Sequence, residues 1–167
     1  MFPFPGIHDE ESRTRPAYYY RQSSVVPYRV IEGGIEVLII TSSKNHHWVI
    51  PKGIHDPGLS AQESAAKEAF EEAGANGEVM QDLLGEYRYP KWDSHCHVMV
   101  YPMRVDKLTS QQEWQESHRQ RRWVSIDEAM QQVKNPDVSR MISLPVSYTH
   151  LTLPTMSTSG GGGGGGG

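Results

Sequence analysis

The sequence predicts an α+β fold, an α/β/α sandwich in which a mixed β-sheet is flanked by helices. Three observations carry this. Strand-like segments stand both before and after one well-capped helical segment near the middle of the chain. That helical segment bears small apolar residues on a narrow stripe, the signature of close packing against a sheet. Shorter helical signals follow the last strand-like segment, so the order of strands, helix, strands and helix suits a sheet covered on its faces. A chain of 167 residues fits one domain and can bury a real core.

Residues 1–16 mix Pro, Gly and charge and read as a disordered N-terminal tail; residues 17–145 read as the folded domain. YYYRQSSVVPYRV is β-rich, and Pro27 within it argues for an edge strand or a bulge. Glu32-Gly33-Gly34 is a turn, and IEVLIIT at 35–41 is a buried strand that completes a hairpin. After the polar loop SSKNHH, WVIPKG at 48–53 reads as one short strand stopped by Pro51. Pro57-Gly58 marks a turn. Ser60 caps the helix AQESAAKEAFEEA, with Glu63 completing a capping box and Gly74 ending it. Ala65, Ala66, Ala69, Phe70 and Ala73 form its apolar stripe. LLGEYRYPKW and HCHVMVYPMRV alternate as strands, LTSQQEWQESHRQ is a polar connection, and RRWVSI is a further short strand. SIDEAMQQV reads as a helix capped by Ser125 with Glu128 as its box partner, and NPDVSRMISL as a second short helix.

The last stretch, 146–167, is different in kind. VSYTHLTLPTMSTSGGGGGGGG carries no charge and ends in a run of glycines, so it reads as a coreless, disordered tail. It resembles a translated sequencing adapter followed by a homopolymer, and we expect it to be non-native, with the native C-terminus absent from this sequence.

Composition excludes several classes. The net charge of -4 argues against an extended nucleic-acid surface, while leaving room for a local cationic pocket. The single cysteine, Cys96, rules out an internal disulfide and points to a reducing compartment, with the cytoplasm as the expected location. The N-terminus lacks the features of a secretory signal, and no apolar run is long enough for a membrane span.

The chemistry is concentrated in GIHDPGLSAQESAAKEAFEEAGA at 53–75. On a helix Glu68, Glu71 and Glu72 stand at i, i+3 and i+4 and share one face. Three like charges so close repel one another, a cost that a bound cation relieves. Carboxylate oxygens are hard ligands, which favours magnesium, with manganese as an alternative, over zinc. Taken alone, the pattern fits a solvated acidic face better than a metal site.

The flanking residues reverse that judgement. The segment resembles the Nudix box, in which a Gly, a Glu, an Arg-Glu pair, a Glu-Glu pair and a closing Gly recur at fixed spacing. Gly53, Glu68, Glu71, Glu72 and Gly74 fall at matching positions, and the resemblance extends over about 21–144. It implies the Nudix fold. It also implies metal ligation by Glu68, Glu71 and Glu72 with the carbonyl of Gly53, and Mg2+-dependent hydrolysis of a diphosphate linkage by metal-activated water in which these glutamates are catalytic. Four positions depart from the box. Leu59 stands where its first Glu belongs, Lys67 replaces the Arg, and Ala69 and Ala75 replace larger apolar residues. Lys67 keeps the charge and can pair with Glu63 or Glu71, and Glu63 or Asp56 stands close enough in sequence to serve in place of Leu59.

Within the family the chain resembles the diphosphoinositol polyphosphate and diadenosine polyphosphate hydrolase branch, through QSSVVPYRV, VLIITSSKNHHWVIPKG and RRWVSIDEA. The substrate implied is a small phosphorylated molecule of the nucleoside diphosphate-X or diphosphoinositol polyphosphate type. Candidate phosphate contacts are Arg21, Lys44, Lys52 and Arg121, drawn from a wider set that includes Arg29, Arg88, Lys91, Arg119 and Arg122. His46, His47, His95 and His97 are candidates for the mouth of the site, without the spacing of a zinc centre. Trp48, Tyr87 and Trp92 are expected in the core or at the rim. The missing Glu at 59 leaves a second function open, a catalytically weakened domain that senses a ligand or binds a protein. No membrane partner is expected, and the chain is read as a monomer or homodimer.

Overall fold

A computed structural model of the chain describes residues 15–143. The tails expected at 1–16 and 146–167 lie outside the described residues, apart from Arg15 and Pro16. A 3-10 turn at Ala17–Tyr20 leads into β1 (Arg21–Ile31), β2 (Gly34–Thr41), β3 (Trp48–Val49) and β4 (Lys52–Ile54). Helix α1 (Ala61–Ala73) follows, then β5 (Ala75–Val79), β6 (Gly85–Lys91), β7 (Ser94–Leu108) and β8 (Arg121–Ser125). Helices α2 (Ile126–Gln132) and α3 (Pro136–Ile142) close the described part.

The strands form one mixed sheet whose central path is β3-β2-β1-β7-β5. β1 runs antiparallel to β2 and β4 and parallel to β7. Alternation along β1 and β2 divides the core. Val25, Leu38 and Ile40 face α1 and pack with Ala65, Ala69 and Ala73. Val26, Val37 and Ile39 face the other way, onto Ala129, Val133, Val138, Met141 and Ile142 of the C-terminal helices and their junctions. Both faces of β2 are therefore buried, which is why 37–40 is a continuous apolar run. Each fully buried aliphatic side chain contributes roughly 1.5–3 kcal/mol. The α/β/α sandwich expected from the sequence is the architecture that forms.

Four local expectations are corrected. Pro27 is buried in a central strand rather than at an edge or bulge. On one side it lies opposite Met103 of β7; on the other it falls between Ser24, paired to β4, and Tyr28, paired to β2. A residue without an amide donor thus sits where the strand changes partner. WVIPKG is two strands: β3 pairs with β2 and β4 with β1, while the Pro51 carbonyl accepts from Ser24 Oγ at 2.7 Å. The segment ANGEV forms β5, which sequence reading passed over because Asn, Gly and Glu are weak strand formers. Ser125 caps α2 as expected, but Glu128 pairs with Arg122 at 2.6 Å instead of completing a capping box.

Candidate active site

The site begins with how α1 is pinned. Glu63 N–H donates to Ser60 Oγ at 3.0 Å and Ser60 N–H to Glu63 Oε1 at 2.8 Å, so the capping box fixes the start of the helix. At the other end Gly74 adopts the left-handed conformation, φ 64°, as helix-ending glycines do. Beneath it Arg121 donates from Nη1 to the Ala73 carbonyl at 2.9 Å and from Nη2 to the Thr109 carbonyl at 2.6 Å, with its guanidinium over the Trp114 ring. Arg121, expected to bind substrate, is therefore a cap on the C-terminus of α1.

Between these ends the alanine stripe lets α1 lie close on the sheet, and the Glu68 carboxylate comes down onto the backbone of β4. A Cβ at residue 53 would collide with that carboxylate and push it from its place, so glycine here is what lets Glu68 rest on β4. One turn further along, Glu72 Oε1 accepts from the Lys52 amide at 3.1 Å. Arg119, nearly buried, reaches Glu72 Oε2 at 3.8 Å and Glu116 Oε1 at 2.8 Å.

Glu68 and Glu72 line a cavity of about 800 Å³ together with Gly53, Lys52, Lys91, Arg119 and Lys134. Aromatic rings complete the lining: Trp48, Tyr87, Tyr89 and Trp92. Lys52 Nζ lies 5.0 Å from the Tyr89 ring centre and Lys91 Nζ 4.8 Å from that of Trp92. Trp92 occupies the β6–β7 hairpin tip with φ 52°, followed by Asp93 at φ 63°. A bulky residue in this region is strained. Contacts hold it there: the Tyr20 hydroxyl donates to the Trp92 carbonyl at 3.0 Å, and the Tyr19 and Tyr20 rings pack edge-on against the indole.

Burial sets the charge state. It pushes Glu68 up to about 7, helped by the neighbouring charges of Glu72 and Glu71 and opposed by Lys67. It likewise pushes Glu72 up to about 7, outweighing the opposite pull of Arg119 and of the Lys52 amide. Burial lowers the pKa of Lys52, against the opposing effect of Glu72.

A hard divalent cation fits this donor set. Two crowded, partly buried carboxylates gain most from such a charge, and the Gly53 peptide lies directly beneath one of them. Among the described residues no group of three or more His, Cys, Asp or Glu side chains already forms a cage.

The family model for the NUDIX domain matches residues 20–144. The chain belongs to the Nudix family. Nudix hydrolase 21, chloroplastic, of Arabidopsis thaliana is 35% identical over 131 residues, covering 74% of this chain and 64% of that protein. The chain thus spans under two thirds of that relative's length. The bis(5'-nucleosyl)-tetraphosphatase [asymmetrical] of Sus scrofa is 28% identical over 118 residues, covering 68% of this chain and 80% of its own. Among solved structures, a C. elegans Ap4A hydrolase binary complex superposes with a TM-score of 0.64 at 22% identity, covering 77% of this chain and 96% of that one, a likeness of fold.

In this Nudix domain the departures from the box have structural consequences. Glu63 is engaged in the capping box and Asp56 in its own loop, where Oδ1 accepts from Gly58 N–H and Oδ2 pairs with Lys67 at 3.8 Å. Both carboxylates near Leu59 are thus engaged by neighbouring groups. Lys67 pairs with the loop, not with Glu63 or Glu71. Glu71 does not line the cavity, though its charge acts on Glu68. Arg21 and Lys44 are exposed and outside the lining, whereas Lys52 is part of it. His97 pairs with Glu86, and of the four candidate histidines only His47 reaches the cavity. Sequence reading missed Lys134 and Glu116, the latter inside a loop read only as polar; no motif marks either.

Proposed function

We propose that this Nudix chain hydrolyses a diphosphate linkage in a nucleoside diphosphate-X or diphosphoinositol polyphosphate type substrate, with Mg2+, or Mn2+ in its place, held by Glu68, Glu71, Glu72 and the Gly53 carbonyl. The single observation that carries the reading is the pairing of half-buried Glu68 and Glu72 with several cationic side chains in one cavity of about 800 Å³. A polyphosphate needs both: oxygen donors to share a metal with it, and cations to offset its remaining charge. The tetraphosphatase activity for which the Sus scrofa relative is named points the same way.

When bound, the divalent ion neutralises the diphosphate and makes a water nucleophilic near neutral pH. The chain's own residues do the rest. One glutamate of the set accepts the proton of the attacking water as its oxygen bonds to phosphorus and the bridging P–O bond breaks. Lys52 and Lys91 offset charge on the departing phosphate. Trp48, Tyr89 and Trp92 restrict water at the rim. A reducing, aqueous compartment suits the buried Cys96, and the cytoplasm is the location we assign.

The test is phosphate release from a panel of diadenosine polyphosphates, diphosphoinositol polyphosphates and ADP-ribose, with Mg2+ and Mn2+ compared. Glu71→Gln and Glu72→Gln should each lower turnover by orders of magnitude while circular dichroism stays native; unchanged turnover in both sinks the reading. One observation favours a second reading, a weakened domain that senses a ligand: Leu59 stands where the box has its first Glu, and Glu63 is engaged in the capping box. Metal-dependent ligand binding without any product would establish it instead.

A further inference from the structure

Arg119 is held unevenly. Its Nε and Nη2 both lie 2.8 Å from Glu116 Oε1, and Nη1 donates to the Thr41 carbonyl at 2.9 Å. Its approach to Glu72 Oε2 is long, 3.8 Å, beyond a hydrogen bond. The guanidinium is therefore anchored by Glu116 and Thr41, while its hold on Glu72 is purely coulombic. With its side chain only 8% exposed, it has little solvent to screen it or to move into. A cation arriving at Glu72 would leave no Arg119 donor orphaned, yet would meet a fixed positive charge.

From this geometry we propose that Arg119 is a built-in counter-cation that competes with the divalent ion for Glu72 and keeps its affinity low, so that the ion exchanges readily. Arg119 acts through Glu72 and is a positioning residue. The inference rests on the reading of Glu68 and Glu72 as holding the metal. The two fit together: a fixed charge anchored to the 109–120 loop stabilises the carboxylate of Glu72 without filling the place of the ion.

The sign of the effect separates this from a merely structural role. Loss of a structural support loosens a site and weakens its ligand; loss of a competing charge tightens it. The experiment is Mn2+ binding to the full, metal-stripped chain, followed by calorimetry and by the electron paramagnetic resonance of free Mn2+. Arg119→Gln, which keeps an amide donor for Thr41, should bind Mn2+ about tenfold more tightly than wild type. Arg119→Lys keeps the charge but not the fork that spans Glu116 and faces Glu72, and should tighten binding by about twofold to threefold. Equal or weaker binding in Arg119→Gln overturns the proposal. If that variant does not fold, equal or weaker binding in Arg119→Lys does the same. A wild-type chain that binds no Mn2+ overturns both this proposal and the metal-dependent reading; a wild-type chain that binds Mn2+ and hydrolyses, with no tightening in the variants, overturns this proposal alone.

Discussion

A cation in a sequence carries charge but no direction, and Arg121 shows what that conceals. Its three contacts tie the end of α1 to the 109–120 loop, and Arg121 is not part of the cavity lining. Arg121→Ala removes hydrogen bonds from a charged donor to two carbonyls and should destabilise the fold by about 1.5–3 kcal/mol. Because the role is structural, KM for the preferred substrate should stay within about twofold of wild type at temperatures well below unfolding; a KM rise of an order of magnitude would restore Arg121 to the substrate site. The Nudix glutamates were legible for the opposite reason. Their chemistry is tied to a spacing, and Gly53 and Gly74 have steric reasons to sit where they do. Glu116 and Lys134 have no such spacing, and only folding brings them to the site. Glu63 and Asp56 looked available for the position of Leu59 because sequence distance does not reveal that a carboxylate is already engaged.

At the level of elements, α1 is the part most fully written in the sequence: its capping box, its glycine stop and its alanine stripe all form. The stripe does more than fill the core. Small residues at 65, 69 and 73 set the height of α1 above the sheet, and that height brings Glu68 onto Gly53. Ala65→Leu should therefore cost about 1–3 kcal/mol by overpacking against the β1–β7 face. It should also impair catalysis more than its stability loss explains, by lifting Glu68 from β4; urea unfolding measured beside turnover checks both, and full turnover in a destabilised variant contradicts the geometry. The strands were less legible. β5 has Val79 as its one strong strand former and pairs along β7, with a register shift at Asn76/Gly77. Pro27 misled because the rule that puts proline at edges assumes one partner per side, whereas β1 has two in succession on one side.

Across the molecule, acidity and assembly are linked to the same site. Glu68 and Glu72 ionise at about 7 in the folded chain against an ordinary 4.5. A raised acid favours the fold while protonated, so the contribution is complete below about pH 4.5 and is lost as pH rises through about 7. Metal-free protein should accordingly lose roughly 1–2 kcal/mol between pH 5 and 8 relative to a Glu68→Gln/Glu72→Gln double variant, an amount already reduced for solvent screening. Mg2+ should restore it at pH 8. Calorimetric melts in chelator and in Mg2+ measure this, and a wild-type-to-variant gap that stays flat with pH refutes it. The parallel pairing of β1 with β7 sets a different constraint. Arg21 lies opposite His97, and Arg119 reaches Glu72 from still later in the chain. During synthesis the first strand leaves the ribosome long before its central partner exists, and its unpaired edge waits exposed. Helix α1 is complete before the strand that seats β1 beside it, so this domain stays without its candidate site, and open to mispairing, until most of its described length has been made.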